Sequence, residues 1–258
     1  MSPVMEGKSV LITGASRGIG AATARFLAAR GARVALTARN GAALQALALE
    51  ISQSGGQAIA LSCDVTRFDE VAQAVRQAET QLGPLDVMVN NAGLIDPIAR
   101  LADSDPEAWG RVTDVNLKGV YHGLRAALPG MLARGHGTVI NLSSGAATSA
   151  LEGWSHYCST KAAVLSLTRC ADREYRAAGI RVIGLSPGTV ATDMQSSIRA
   201  SGLNPVSQLD VSAHIPPDWV AQAIAFLCGP GGDAFLGDDF SLKSDAGRRL
   251  AGLPALSE

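Results

Sequence analysis

The chain has 258 residues, 47% of them hydrophobic, which is enough to close a large core as one domain over residues 1–258. Its 22 basic and 23 acidic residues are interspersed and leave a net charge of −1, which predicts neither a nucleic-acid nor an anionic-membrane partner. Cys63, Cys158, Cys170 and Cys228 form no C-x-x-C pair and no cluster with histidine, so the expectation is no metal site and small buried thiols in a reducing, cytoplasmic setting.

The first residues, MSPVMEGKSVLITG, lack a basic region followed by a long apolar segment, and no export signal is expected. Apolar runs elsewhere are broken by glycine, arginine or aspartate before they reach bilayer-spanning length, which predicts no membrane span. Lys8 to Thr13 reads as the first strand. The turn TGASRGIG follows, running from Gly14 through Ser16, Arg17, Gly18 and Ile19 to Gly20. Glycines there allow a tight bend and let backbone amides approach a pyrophosphate at the start of the next helix. The spacing G-x-x-x-G-x-G differs from the commoner G-x-G-x-x-G, but its place after the first strand favours nucleotide binding over an ordinary turn.

The helix IGAATARFLAAR leads to a second strand, RVALTA, which ends at Arg39. A carboxylate there would suit the ribose hydroxyls of an unphosphorylated cofactor, and none is present. Arg39 and Arg17 would instead bind a 2′-phosphate by charge-assisted hydrogen bonds, which predicts NADP(H) as the preferred cofactor and leaves NAD(H) as the alternative. AALQALALEISQS, QAIALS, VAQAVRQAETQL and LDVMVN continue the alternation. After a long mixed stretch come TVINLS, another helix, RVIGLSP and a last strand near FLGDDFSL. Glycines at Gly31, Gly55, Gly56, Gly83 and Gly179 close helices. Repeated β-α units with continuously apolar strands predict an α/β fold, a doubly wound parallel sheet flanked by helices on both faces. Residues 192–217, with Pro205, Pro216 and Pro217, read as a long loop of the kind used as a substrate lid.

Within SHYCSTKAAVLSLTRCADREY, Tyr157 and Lys161 lie four residues apart and share a helix face. A phenol has an ordinary pKa of roughly 10, and an ammonium held beside it lowers that value, so Tyr157 is expected to pass a proton near neutral pH. With the glycine turn, this pair points to hydride chemistry on an alcohol or carbonyl. His156 and Cys158 flank the tyrosine but point about 100° away on either side and cannot converge with it. Ser143 and Ser144 are equally good hydroxyls after the fifth strand, as catalytic groups or as turn residues.

Taken in order, these segments resemble the short-chain dehydrogenase/reductase family, from the N-terminus to about Asp233. The glycine turn matches. So do Asp64 and Val65 as an adenine-contacting pair, the N-N-A-G run at Asn90, Asn91, Ala92 and Gly93, Asn116 in VNLKG, Ser144 in NLSSG, and Tyr157 and Lys161 in YCSTK. Pro187 and Gly188, followed by Val190 and Thr192, match the segment that holds the nicotinamide amide.

The resemblance implies a Rossmann-type reductase in which Tyr157 is general acid and base and Ser144 orients the substrate oxygen. Lys161 holds the nicotinamide ribose, and Asn116 fixes a water that links Lys161 to solvent. It selects Ser144 over Ser143 by spacing. It places Leu94, Leu151, Trp154 and Met194, with Ile95 and Ile198, around a bulky or partly apolar carbonyl or alcohol substrate. A homodimer or homotetramer is implied as well. The alternatives are an NAD-linked alcohol dehydrogenase of the same family and a non-catalytic nucleotide-binding regulator. The C-terminal segment departs from the pattern: many relatives end the last strand with an Asp-Gly-Gly turn, whereas this chain reads FLGDDFSLKSDAGRRLAGL from Phe235.

Overall fold

The computed structural model describes residues 4–255. Seven strands alternate with helices along the chain: β1 (Ser9–Thr13), β2 (Arg33–Ala38), β3 (Gln57–Ser62), β4 (Val87–Asn90), β5 (Gly137–Leu142), β6 (Ile180–Ser186) and β7 (Asp239–Ser241). The helices are α1 (Gly18–Ala28), α2 (Gly41–Gln53), α3 (Phe68–Leu82), α4 (Pro106–Thr113), α5 (Gly119–Arg134), α6 (Ser155–Tyr175), α7 (Met194–Ser201), α8 (Pro217–Cys228) and α9 (Asp245–Leu250). All neighbouring strands pair in parallel, in the order β3-β2-β1-β4-β5-β6-β7. Every residue of β1, β4 and β5 is buried, because helices cover both faces of the sheet.

One face buries Leu27, Leu44, Leu47, Ile51, Ile224 and Leu227 from α1, α2 and α8. The other buries α3, α5 and α6. The α3 stripe Val71, Ala74, Val75, Ala78 and Leu82 repeats at helical spacing, with Asp69 and Glu70 in the first turn and Gly83 at the end. Asn90 Nδ2 donates to Asn141 Oδ1 at 2.8 Å, and Asn141 Nδ2 donates to Thr168 Oγ1 at 2.9 Å. This buried chain fixes α6 against β4 and β5, and so sets where Tyr157 and Lys161 stand.

The strand order reverses between β1 and β4. Their following loops diverge, which opens a crevice at the carboxyl ends of the strands. Two segments differ from the sequence reading. Residues 192–217 are not an irregular loop throughout. They contain α7 and two short 3-10 turns, and Val190 bridges Ile215 at the root of the segment. After β7, Ser244 accepts from Gly247 N at 3.1 Å and caps α9, so the Lys-Ser-Asp sequence starts a helix where a glycine turn would end a strand. Among the described residues no helix is long and apolar enough to cross a membrane. No group of three or more His, Cys, Asp or Glu among them could hold a metal ion.

Candidate active site

A cleft of about 880 Å³ runs along the crevice. At one end lies the glycine turn, where Gly14, at φ 66°, bends the chain after β1. Helix α1 starts at Gly18 with no side-chain cap on its first amides, and Ser16, Arg17, Gly18 and Ile19 line the cleft. Uncapped amides at a helix start form a seat for a phosphate. Gly20 does not reach the cleft. It packs under the turn, where a β-carbon would overlap the Gly14 carbonyl and the Asn91 amide.

Asn91 Nδ2 donates to the carbonyls of Thr13 at 2.8 Å and Gly14 at 3.2 Å, so its side chain braces the turn from the end of β4. Asn91, Ala92 and Gly93 form the adjoining floor. Arg39 follows β2, and Asp64 and Val65 follow β3, all on the cleft wall. Burial opposes ionisation of Asp64, but the amide and hydroxyl of Thr66 and the charges of Arg39 and Arg67 prevail, and its carboxyl lies below its ordinary value. Across the cleft, Pro187, Gly188, Val190 and Thr192 lead from β6 into the segment 192–217. The cleft is lined by five cations, Arg17, Arg39, Lys161, Lys243 and Arg248, and two carboxylates, Asp64 and Asp193. Lys243 and Arg248 lie beyond the family pattern, and nothing local in the sequence marks them. These features fit a polyanionic dinucleotide.

At the other end Tyr157, Ser144 and Lys161 share the cleft. Both serines line the cleft but differ in their bonds: Ser143 is buried and donates to Asp239 Oδ2 at 2.5 Å, whereas Ser144 is half-buried and accepts from Ala146 N at 3.2 Å. Lys161 Nζ lies 5.5 Å from the Tyr157 ring centre and donates to the Leu142 carbonyl at 2.6 Å. Burial works against the expected acidification of the phenol. Burial pushes Tyr157 up to about 12, opposed by the Ser144 hydroxyl, and burial pulls Lys161 down to about 8. The ammonium is turned to a carbonyl, and loss of hydration sets the direction for both groups.

Asn116 is fixed by its own side-chain contacts. It sits in a π-helical turn, Asp114–Lys118, between α4 and α5. Its Oδ1 accepts from Leu94 N at 2.8 Å and its Nδ2 donates to Leu94 O at 2.8 Å. The side chain thus clamps the loop after β4. His156, fully buried, reaches the Ile95 carbonyl at 2.5 Å through Nε2 and holds the same loop. Leu94, Leu151, Trp154 and Met194 line the cleft together with Ile95 and Ile198. Trp154 stands edge-on to Tyr157, with ring centres 5.5 Å apart.

A family model described as short chain dehydrogenase matches residues 8–202. The chain belongs to the short-chain dehydrogenase family. Members are oxidoreductases acting on CH–OH or carbonyl groups, and this short-chain dehydrogenase acts on a small molecule. It is 36% identical over 225 residues to the 3-oxoacyl-[acyl-carrier-protein] reductase of a Synechocystis strain, covering 86% of this chain and 90% of that one. It is also 36% identical over 231 residues to the glycine betaine reductase ATRR of Emericella nidulans, covering 88% of this chain but spanning only 18% of that protein's length. A crystal structure of a metagenomic short-chain oxidoreductase in complex with NADP superposes with a TM-score of 0.76 at 34% identity, covering 92% of this chain and 96% of that one.

Proposed function

We propose that this enzyme reduces a ketone or aldehyde to the alcohol with NADPH, and that Tyr157 is the proton donor. The observation that carries the reading is the convergence of Tyr157, Ser144 and Lys161 in the same cleft as the uncapped start of α1. When bound, the reduced nicotinamide supplies the hydride. A phenol with a pKa near 12 is protonated at neutral pH, which is the form a general acid needs. Ser144 orients the carbonyl oxygen, and Tyr157 delivers its proton to that oxygen as alkoxide charge develops. Lys161 has two ammonium protons free beyond the Leu142 bond for the ribose hydroxyls.

Arg39 and Arg17, with no carboxylate at the end of β2, support a 2′-phosphate, as does the NADP in the metagenomic neighbour. Gly14, Asp64, Val65, Ala92, Gly93, Gly188 and Thr192 complete the proposed cofactor contacts. The apolar wall of Leu94, Leu151, Trp154 and Met194 supports a bulky, partly apolar substrate. Four free cysteines support a reducing compartment. Half-exposed Tyr121 on α5 supports association of two copies through the α5 and α6 face.

The test is NADPH oxidation over a panel of ketones, aldehydes and diketones. Tyr157→Phe is expected to lower kcat by roughly 10²–10⁴ while NADPH still binds; turnover that survives the change refutes the proton-donor role. Arg39→Asp is expected to lower kcat/KM with NADPH by roughly 10–100-fold and spare NADH.

A further inference from the structure

Asp239 brings a carboxyl group into the sheet that the steps above leave unused. It lies on β7 opposite Gly184 of β6, and a β-carbon on Gly184 would overlap its Oδ1. The bare backbone at 184 therefore leaves the lane by which this side chain crosses β6 toward the end of β5. There it accepts from Ser143 Oγ at 2.5 Å through Oδ2, while Oδ1 is sealed from solvent and has no partner. Leu142, the residue before Ser143, holds Lys161 Nζ at 2.6 Å through its carbonyl. Acid and ammonium are thus anchored on consecutive residues of one strand end.

A half-satisfied carboxylate away from water is costly unless a cation balances it. The charged groups around Asp239 are Asp238, just before β7, and Lys161 and Arg169 from α6. Arg169 is already paired with Asp238 at 3.0 Å, which leaves Lys161 as the cation for Asp239. We propose that Asp239 is a positioning residue, a part-buried counter-charge that works through Ser143 and the end of β5 to hold Lys161 in place as an ammonium. Burial pulls Lys161 down to about 8, and Asp239 acts against that pull. Burial raises the Asp239 carboxyl, Ser143 lowers it, Asp238 raises it, and Lys161 and Arg169 lower it. Removing the carboxylate therefore makes Lys161 lose its proton at lower pH.

The role of Lys161 rests on the proposed function, but the link to Asp239 is measurable without cofactor. The side-chain NMR signal of Lys161 is titrated in the unliganded wild type and in Asp239→Asn. The midpoint is expected to fall by about one pH unit in the variant, and the alkaline limb of kcat by the same amount. An unchanged midpoint overturns the proposal. If Asp239→Asn does not fold, the carboxyl carbon of Asp239 is followed in Lys161→Met, where linkage requires its midpoint to rise; no rise overturns the proposal equally. A shifted midpoint in a protein that never oxidises NADPH would sink the reductase reading and leave the Asp239–Lys161 link standing.

Discussion

Lys161 is almost wholly buried, and its ammonium rests on one carbonyl in a wall that strips its hydration. Its proton is held below the ordinary lysine value and is lost as pH rises through about 8. Tyr157 stays protonated across that range, because its phenol titrates near 12. Reduction that needs both protons is expected to be level below neutrality and to fall above about pH 8, which a kcat profile at saturating NADPH reads directly. A limb set only by the phenol would lie far higher. Asn116 makes a different kind of prediction. Its side chain holds both backbone groups of Leu94 at 2.8 Å. Asn116→Ala is expected to cost about 1–3 kcal/mol in urea unfolding, from two part-buried backbone groups of Leu94 that lose their partner. The sequence identified the residue but not this task, because side-chain direction inside a π-helical turn has no signature in residue order.

At the scale of elements, strands and long helices were legible because burial on two faces or one stripe writes itself into the spacing of apolar residues. VINL of β5 and the Val71 to Leu82 stripe of α3 are examples. Helix α7 was not legible. Its eight residues, MQSSIRAS, bury only Ile198 and carry no side-chain cap, so neither periodicity nor a start signal distinguishes them from loop. Just before α7, Asp193 pairs with Arg17 of the glycine turn at 3.1 Å, with both side chains about three-quarters exposed. An exposed pair of this kind contributes less than about 1 kcal/mol to stability. It does occupy a cation proposed for the cofactor phosphate. Asp193→Ala is therefore expected to leave the unfolding midpoint unchanged while tightening NADPH binding about 2–5-fold, measured by nucleotide fluorescence titration. Weaker binding would mean that the pair helps to order the glycine turn for the nucleotide.

For the molecule as a whole, β-α alternation in the sequence implied a parallel sheet but not which strands are neighbours. That order comes from right-handed crossovers and from the reversal between β1 and β4, which residue order alone does not express. The reversal is what brings Gly14, Asn91 and Tyr157, distant in sequence, to one crevice. A ligand seated there touches loops from both halves of the sheet and binds only the folded chain, so binding must raise stability by mass action. At a hundred times its dissociation constant NADPH would add about 2.7 kcal/mol, and a chain of this size gains roughly 2–4 °C in Tm per kcal/mol. The expected shift is therefore about 5–11 °C. NADH at the same concentration should give a smaller rise, because it lacks the phosphate that Arg39 is placed to meet. Thermal scans with each nucleotide separate the cases without any substrate: equal shifts would remove the basis for the 2′-phosphate preference, and no shift with either would remove the nucleotide from the cleft.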